Sequence, residues 1–80
     1  MCNYRMDIKG NIGLSDYSNI YDYIGLVNSE DNFTISIHNV DKDNINIICS
    51  MLNDNKFIIH NQGYDNIGVY YINAYKISWF

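Results

Sequence analysis

Residues 32–52 read NFTISIHNVDKDNINIICSML and contain a strand followed directly by a helix. Over residues 32–40, Phe and Ile alternate with Thr, Ser and His, which is the period of two that indicates a strand with one buried side. After Asp41 the apolar residues recur every three or four positions, which is typical of an amphipathic helix. A strand that leads directly into such a helix predicts helices packed on a sheet. The inward stripe of the helix is expected at Ile45, Ile48, Cys49 and Leu52, widened by Ile47 and Met51.

The same two periods precede this segment. Apolar side chains alternate with charged ones over residues 4–9, which predicts a first strand, and Gly10-Asn11 allows a tight turn into a short hairpin through residues 12–14. A helix is predicted over residues 15–27, with Ser15 as its N-cap. The apolar stripe of this helix is expected at Tyr17, Ile20, Tyr21, Ile24 and Val27. Asp22 and Tyr23 lie outside this stripe and are expected to face solvent.

Two further strands are predicted after the second helix. The helix itself should end at residues 53–55, because Asn and Asp side chains compete for backbone hydrogen bonds. Residues 56–60 lack alternation, which favours a short strand that is covered on both faces or central in the sheet. Residues 61–68 predict a polar loop with glycines at its bends. Residues 69–79 predict a long final strand.

These elements predict an α+β fold with the order βαβαββ in a single domain spanning residues 1–80. The architecture is expected to be a two-layer α/β sandwich, with a mixed four-stranded sheet and two helices on one face, because each helix has one apolar stripe. The second and third strands are expected to form a parallel pair with a right-handed crossover, and the third and fourth an antiparallel hairpin.

Charge and composition narrow the kinds of partner. Nine acidic and five basic residues give a net charge of −4, which opposes direct binding to nucleic acid or membrane and favours a protein partner with a basic surface. No export signal or membrane span is recognisable, and a cytoplasmic location is expected. Asn and Ile occupy 27 of 80 positions, and their A/T-rich codons indicate a low-GC genome.

No pattern of residues predicts catalysis or cofactor binding. The strongest transition-metal ligands lack the short spacings of metal sites. They are Cys2, His38, Cys49 and His60. Asp41 and Asp43 begin like a calcium loop, but the turn glycine and the final glutamate are missing, and helix capping explains them better. We therefore expect no catalytic residue, metal or cofactor, and a protein that is not an enzyme.

Aromatic residues are concentrated at the end of the chain, where Tyr70, Tyr71, Tyr75, Trp79 and Phe80 occur within twelve residues. Such rings either complete a small core or bind another macromolecule, and Tyr combined with Asp and Asn is typical of a protein-binding patch. The expected uncovered face of the sheet would carry tyrosines and carboxylates. The partner-binding residues expected from predicted exposure are Asp22, Tyr23, Glu30, Asp31, Tyr64, Asp65 and Tyr70.

The leading hypothesis is a small acidic inhibitor that occupies the basic surface of a nucleic-acid-handling enzyme. In size and charge alone, the chain is similar in general style to phage counter-defence proteins, including anti-CRISPR proteins, and to immunity proteins against nuclease toxins. One alternative is a self-assembling homodimer, because long Pro-free strands leave sheet edges poorly protected. Another is an enzyme or small-ligand binder that uses Tyr, His and Asp in a cleft.

Overall fold

A computed structural model describes residues 3–28, 31–39 and 41–76 of the chain. The described residues form four strands and two helices in the predicted order βαβαββ, and the α+β sandwich is confirmed. The elements are β1 (Asn3–Ile8), α1 (Leu14–Leu26), β2 (Asn32–Ile37), α2 (Lys42–Asp54), β3 (Phe57–Tyr64) and β4 (Tyr70–Lys76).

The four strands form one mixed sheet in the order β1-β2-β4-β3. β1 and β2 are parallel neighbours, and β4 is antiparallel to both β2 and β3. The expected hairpin of β3 and β4 is confirmed, but the expected pairing of the second and third strands is wrong. These two strands run in the same direction with β4 between them, because the hairpin folds β4 back into the central position.

Both helices pack on one face of this sheet. Phe33, Ile35 and Ile37 of β2 are at most 1% exposed and lie at the centre of the core. Each such buried side chain stabilises the fold by about 1.5–3 kcal/mol relative to its exposed state. The helices contribute Ile20, Ile24, Ile45, Ile48, Met51 and Leu52 to the same cluster.

The first helix begins earlier and is rotated relative to the prediction. Its N-cap is Gly13 rather than Ser15, and the Gly13 N–H donates to the Asp16 carboxylate at 2.9 Å. Tyr23 packs inward, stacked on Phe33 with ring centroids 5.4 Å apart, whereas Tyr21 is 57% exposed. Both tyrosines flank the Ile20–Ile24 stripe. The rotation of the helix about its axis therefore depends on which of the two rings packs against an aromatic side chain of the sheet.

The ends of the second helix agree with the prediction in part. The Asp41 carboxylate accepts from the Asp43 N–H at 2.9 Å, which confirms capping by these acids. At the other end the Asn55 side chain donates to the Met51 carbonyl at 2.7 Å. Lys56 follows in the left-handed region with φ 66, which stops the helix. Ile47, expected to widen the buried stripe, is 47% exposed.

The third strand differs most from the prediction. β3 extends to Tyr64 and lies at the edge of the sheet, so the expectation of a short strand covered on both faces is wrong. The predicted loop is reduced to a turn, in which the Asp65 carboxylate accepts from the N–H groups of Ile67 and Val69. Residues 12 and 13 form no strand and Leu14 begins α1, so the short hairpin expected through residues 12–14 does not form. Residues 77–79 of the predicted last strand lie outside the described residues.

Candidate protein-interaction surfaces

The face of the sheet opposite the helices is polar, and we call it the open face. Its residues follow from the strand registers and from alternation along each strand, which the bulge between Ile59 and Asn61 shifts by one residue in β3. The open face contains Asn3, Arg5, Asp7, Asn32, Thr34, Ser36, Ile58, Asn61, Tyr71, Asn73 and Tyr75, with His60 beside Tyr75 at the bulge of β3.

Polar groups of the open face hydrogen-bond to one another. The Thr34 hydroxyl donates to Asn73 Oδ1 at 2.6 Å, and the Arg5 guanidinium donates to the Ser36 hydroxyl at 3.2 Å. Arg5 also forms an ion pair with Asp7 at 3.3 Å. Because the charges of Arg5 and Asp7 cancel, the open face is nearly neutral, as is common for the solvated side of a sheet. The expected carboxylates are therefore not concentrated on this face.

The aromatic rings of β4 are divided between the two faces, as their alternation predicts. Tyr71 and Tyr75 lie on the open face, where the Tyr75 ring centroid is 5.7 Å from that of His60. Tyr70 points to the helical side and packs at the margin of the core. Trp79 and Phe80 lie outside the described residues, so the predicted aromatic cluster is described only in part.

Negative charge is concentrated in the helices. We call residues 13–27 and 41–55, the helices with their caps, the helical layer. It contains five aspartates and one lysine, so its net charge is −4. The rest of the chain has equal numbers of acidic and basic residues, so the helical layer accounts for the whole net charge. The charged residues of the helical layer are Asp16, Asp22, Asp41, Lys42, Asp43 and Asp54.

Large apolar side chains are exposed on α1 next to these acids. Leu14, Tyr21 and Leu26 are 85%, 57% and 59% exposed. Leu14 and Tyr21 are seven residues apart, and Leu26 lies one turn from the exposed Asp22, so all belong to the solvent side of one helix. We call Leu14, Ser18, Tyr21, Asp22, Gly25 and Leu26 the α1 outer face. α1 has no Lys or Arg.

Two of the residues expected to bind a partner are not freely exposed. Tyr23 is half-buried against the core, and Asp31 is 6% exposed with its carboxylate accepting from the Asn28 N–H at 3.0 Å. The expectation that both face solvent is wrong, because Tyr23 completes an aromatic stack and Asp31 closes the turn after α1. Asp22 is exposed as expected, and Glu30 lies outside the described residues.

The other three expected residues lie together where β3 turns into β4. Tyr64 is 62% exposed and meets the Tyr70 ring edge-on, with centroids 5.1 Å apart. Asp65 is exposed in the turn that follows. The expected set is thus divided between α1 and the β3–β4 turn, and its role in binding stays a prediction.

One cysteine and one tyrosine form a small polar cluster between α2 and the sheet. The Cys49 thiol and the Tyr70 hydroxyl donate to the same atom, Gln62 Oε1, at 3.6 and 3.1 Å. Burial raises the pKa of the Cys49 thiol. Burial also raises the pKa of Tyr70, with a smaller contribution from nearby Cys49. A raised pKa keeps the thiol protonated, whereas a reactive cysteine needs the thiolate.

Over residues 3–28, 31–39 and 41–76, no group of three or more His, Cys, Asp or Glu side chains is arranged to hold a metal ion. In that part of the chain, no helix has the length and apolar character needed to cross a bilayer.

Comparisons with protein-family models, curated proteins and solved structures found no match to this chain. The α1 outer face was missed by periodicity, because Tyr21 was assigned to the buried stripe. One signal could have found it: residues 10–41 contain no Lys or Arg but five acids, which indicates an acidic surface around α1.

Proposed function

We propose that this chain is a non-enzymatic inhibitor that docks the α1 outer face onto a basic surface of another protein. The observation that carries the proposal is the exposure of Leu14, Tyr21 and Leu26 beside Asp22, on a helix without cations. Apolar and aromatic anchors supply most of the free energy at protein interfaces, and complementary charge speeds and orients association. A helix of this kind fits a groove with an apolar floor and a cationic rim.

The magnitudes are compatible with a specific complex. Complete burial of three such side chains would contribute on the order of 5 kcal/mol before the cost of association. The remainder would come from charge pairs between the α1 aspartates, Asp16 and Asp22, and Lys or Arg of the partner. Because the Debye length is about 8 Å at physiological ionic strength, this contribution should fall as salt is added.

The proposed partner is a nucleic-acid-handling enzyme, since such enzymes present Lys and Arg to phosphates. Asp16 and Asp22 would compete with phosphates for these cations, so binding would inhibit the enzyme. Phage counter-defence of the anti-CRISPR type is one setting for this activity, and immunity to a nuclease toxin is another.

Capture from the native host with matched variants tests the proposal. The wild-type chain should capture one protein that binds nucleic acid, and adding the chain should weaken that binding in a mobility-shift assay. Tyr21→Ala and Asp22→Lys should reduce capture by about ten-fold or more, as for interface anchors. The controls Tyr75→Ala, on the open face, and Asp54→Lys, on α2, make the same changes elsewhere and should retain capture.

Two results would contradict docking through α1. If Tyr21→Ala retains capture while Tyr64→Ala or Asp65→Lys abolishes it, the contact lies at the β3–β4 turn and not on α1. Capture that does not weaken with salt would remove the role of charge. Circular dichroism of every variant separates loss of contact from loss of fold.

A further inference from the structure

The two edges of the sheet differ in how they are protected. β1, at one edge, alternates Arg5 and Asp7 with its buried residues, and Lys9 follows it. β3, at the other edge, contains no charged residue and no proline in eight positions, and it is the longest of the four strands described. Ile58 and Tyr64 on β3 are 40% and 62% exposed.

This difference matters because an edge strand presents unpaired N–H and C=O groups to any other strand. Proteins usually block such edges with Lys, proline, short strands or bulges. β1 has charges of this kind. β3 has an irregularity between Ile59 and Asn61 in its pairing with β4. Lys56 precedes β3 and Asp65 follows it, but the eight residues of the strand itself carry no charge. The β3 edge is therefore the less protected of the two.

We propose that β3 pairs antiparallel with β3 of a second copy of this chain, so that two four-stranded sheets form one continuous eight-stranded sheet. A two-fold axis makes two identical strands antiparallel, so one surface serves both copies. Because each copy has a charge of −4 located in the helical layer, two copies repel through their helices. The uncharged β3 edge is a route of approach that avoids this repulsion.

The expected association is reversible. The net contribution of each new backbone hydrogen bond is modest, and a single strand pair buries less area than a permanent dimer. The proposal does not depend on the inhibitor function. It is compatible with it, since α1 contacts β1 at the far side of the sheet and α2 contacts β3. The dimer would leave both α1 outer faces free and make the molecule bivalent.

Three variants that add the same charge in one row across the sheet test the proposal. Asn3, Tyr75 and Ile58 lie in this row on β1, β4 and β3 respectively, with Asn32 between the first two. Sedimentation equilibrium under reducing conditions should show the wild-type chain approaching twice its mass of 9.4 kDa as concentration rises. Ile58→Lys should weaken the dimer at least ten-fold, while Asn3→Lys and Tyr75→Lys should leave the dissociation constant within about two-fold, because neither lies at the β3 edge.

A second variant and a second measurement separate edge pairing from other contacts. Tyr64→Lys introduces the charge on the opposite side of the same strand and should also weaken the dimer. Hydrogen exchange of β3 amides should slow as the dimer forms. The proposal is overturned if the wild-type chain remains monomeric up to about 1 mM, where even weak pairing would be visible. It is equally overturned if Tyr75→Lys or Asn3→Lys dissociates the dimer as strongly as Ile58→Lys does.

Discussion

Two weakly acidic side chains share one acceptor where α2 meets the sheet. Gln62 Oε1 accepts from both the Tyr70 hydroxyl and the Cys49 thiol, and either bond requires the protonated form of its donor. The pKa values of both groups are raised by burial from ordinary values of 10.0 and 9.0. The folded state therefore retains these protons over a pH range in which the unfolded chain loses them.

This linkage predicts a loss of stability in alkali. Both contributions are fully present below pH 9.0. The free energy of unfolding should fall as pH rises above 9.0 for Cys49 and above 10.0 for Tyr70, and each loss is complete once pH passes the raised pKa of that group in the folded state. Tyr70→Phe removes one proton linkage, so its stability should fall less steeply above pH 10.0. Urea unfolding from pH 7 to 11 measures the slope, with Tyr21→Phe as the exposed control. An unchanged slope for Tyr70→Phe would contradict the assignment.

Among the elements, α1 shows what periodicity can and cannot predict. Its position, length and the buried residues Ile20, Ile24 and Val27 agree with the sequence pattern. The pattern does not choose between Tyr21 and Tyr23, because both flank that stripe. The choice depends on Phe33 and Tyr4 in the sheet, which lie within ring contact of Tyr23. The charge pattern of residues 10–41 indicates an acidic surface around α1, but the exposure of Tyr21 on it depends on the folded chain.

Alanine substitutions at these two tyrosines test the phase of the helix. Tyr23→Ala should lower the free energy of unfolding by about 2–4 kcal/mol, because it removes a ring that packs against the core. Tyr21→Ala should change it by less than about 0.5 kcal/mol, as for exposed sites. Chemical denaturation of both variants gives the comparison. Equal effects would mean that α1 does not turn Tyr23 toward the core and Tyr21 toward solvent.

At the scale of the whole molecule, a lysine from the sheet caps a helix that has no basic residue in its last turn. Lys76 Nζ on β4 lies 3.4 Å from the carbonyl oxygens of Ile24 and Val27, and 5.9 Å from the Phe57 ring centroid. Carbonyl groups at a helix C-terminus attract cations. This contact between residues about fifty positions apart joins the C-terminal end of α1 to β4, a central strand of the sheet.

Removing this cation should destabilise the fold. Lys76→Met keeps most of the side chain but loses the charge, and the free energy of unfolding should fall by about 1 kcal/mol. Lys42→Met removes an equal charge from the first turn of α2, where a cation is unfavourable, and should have no effect or a small stabilising one. Urea unfolding of both variants measures the two changes in the free energy of unfolding. An equal loss would indicate a general charge effect instead of a cap.

Local patterns determined much of this protein: six elements in order, the alternation of β2 and β4, and the capping acid Asp41. These depend on neighbours a few residues apart, so the sequence alone specifies them. Tertiary structure decided the insertion of β4 between β2 and β3, the inward turn of Tyr23, the burial of Asp31 and the edge position of β3. Each of these depends on contacts between distant segments, whose free energies do not appear in any local period.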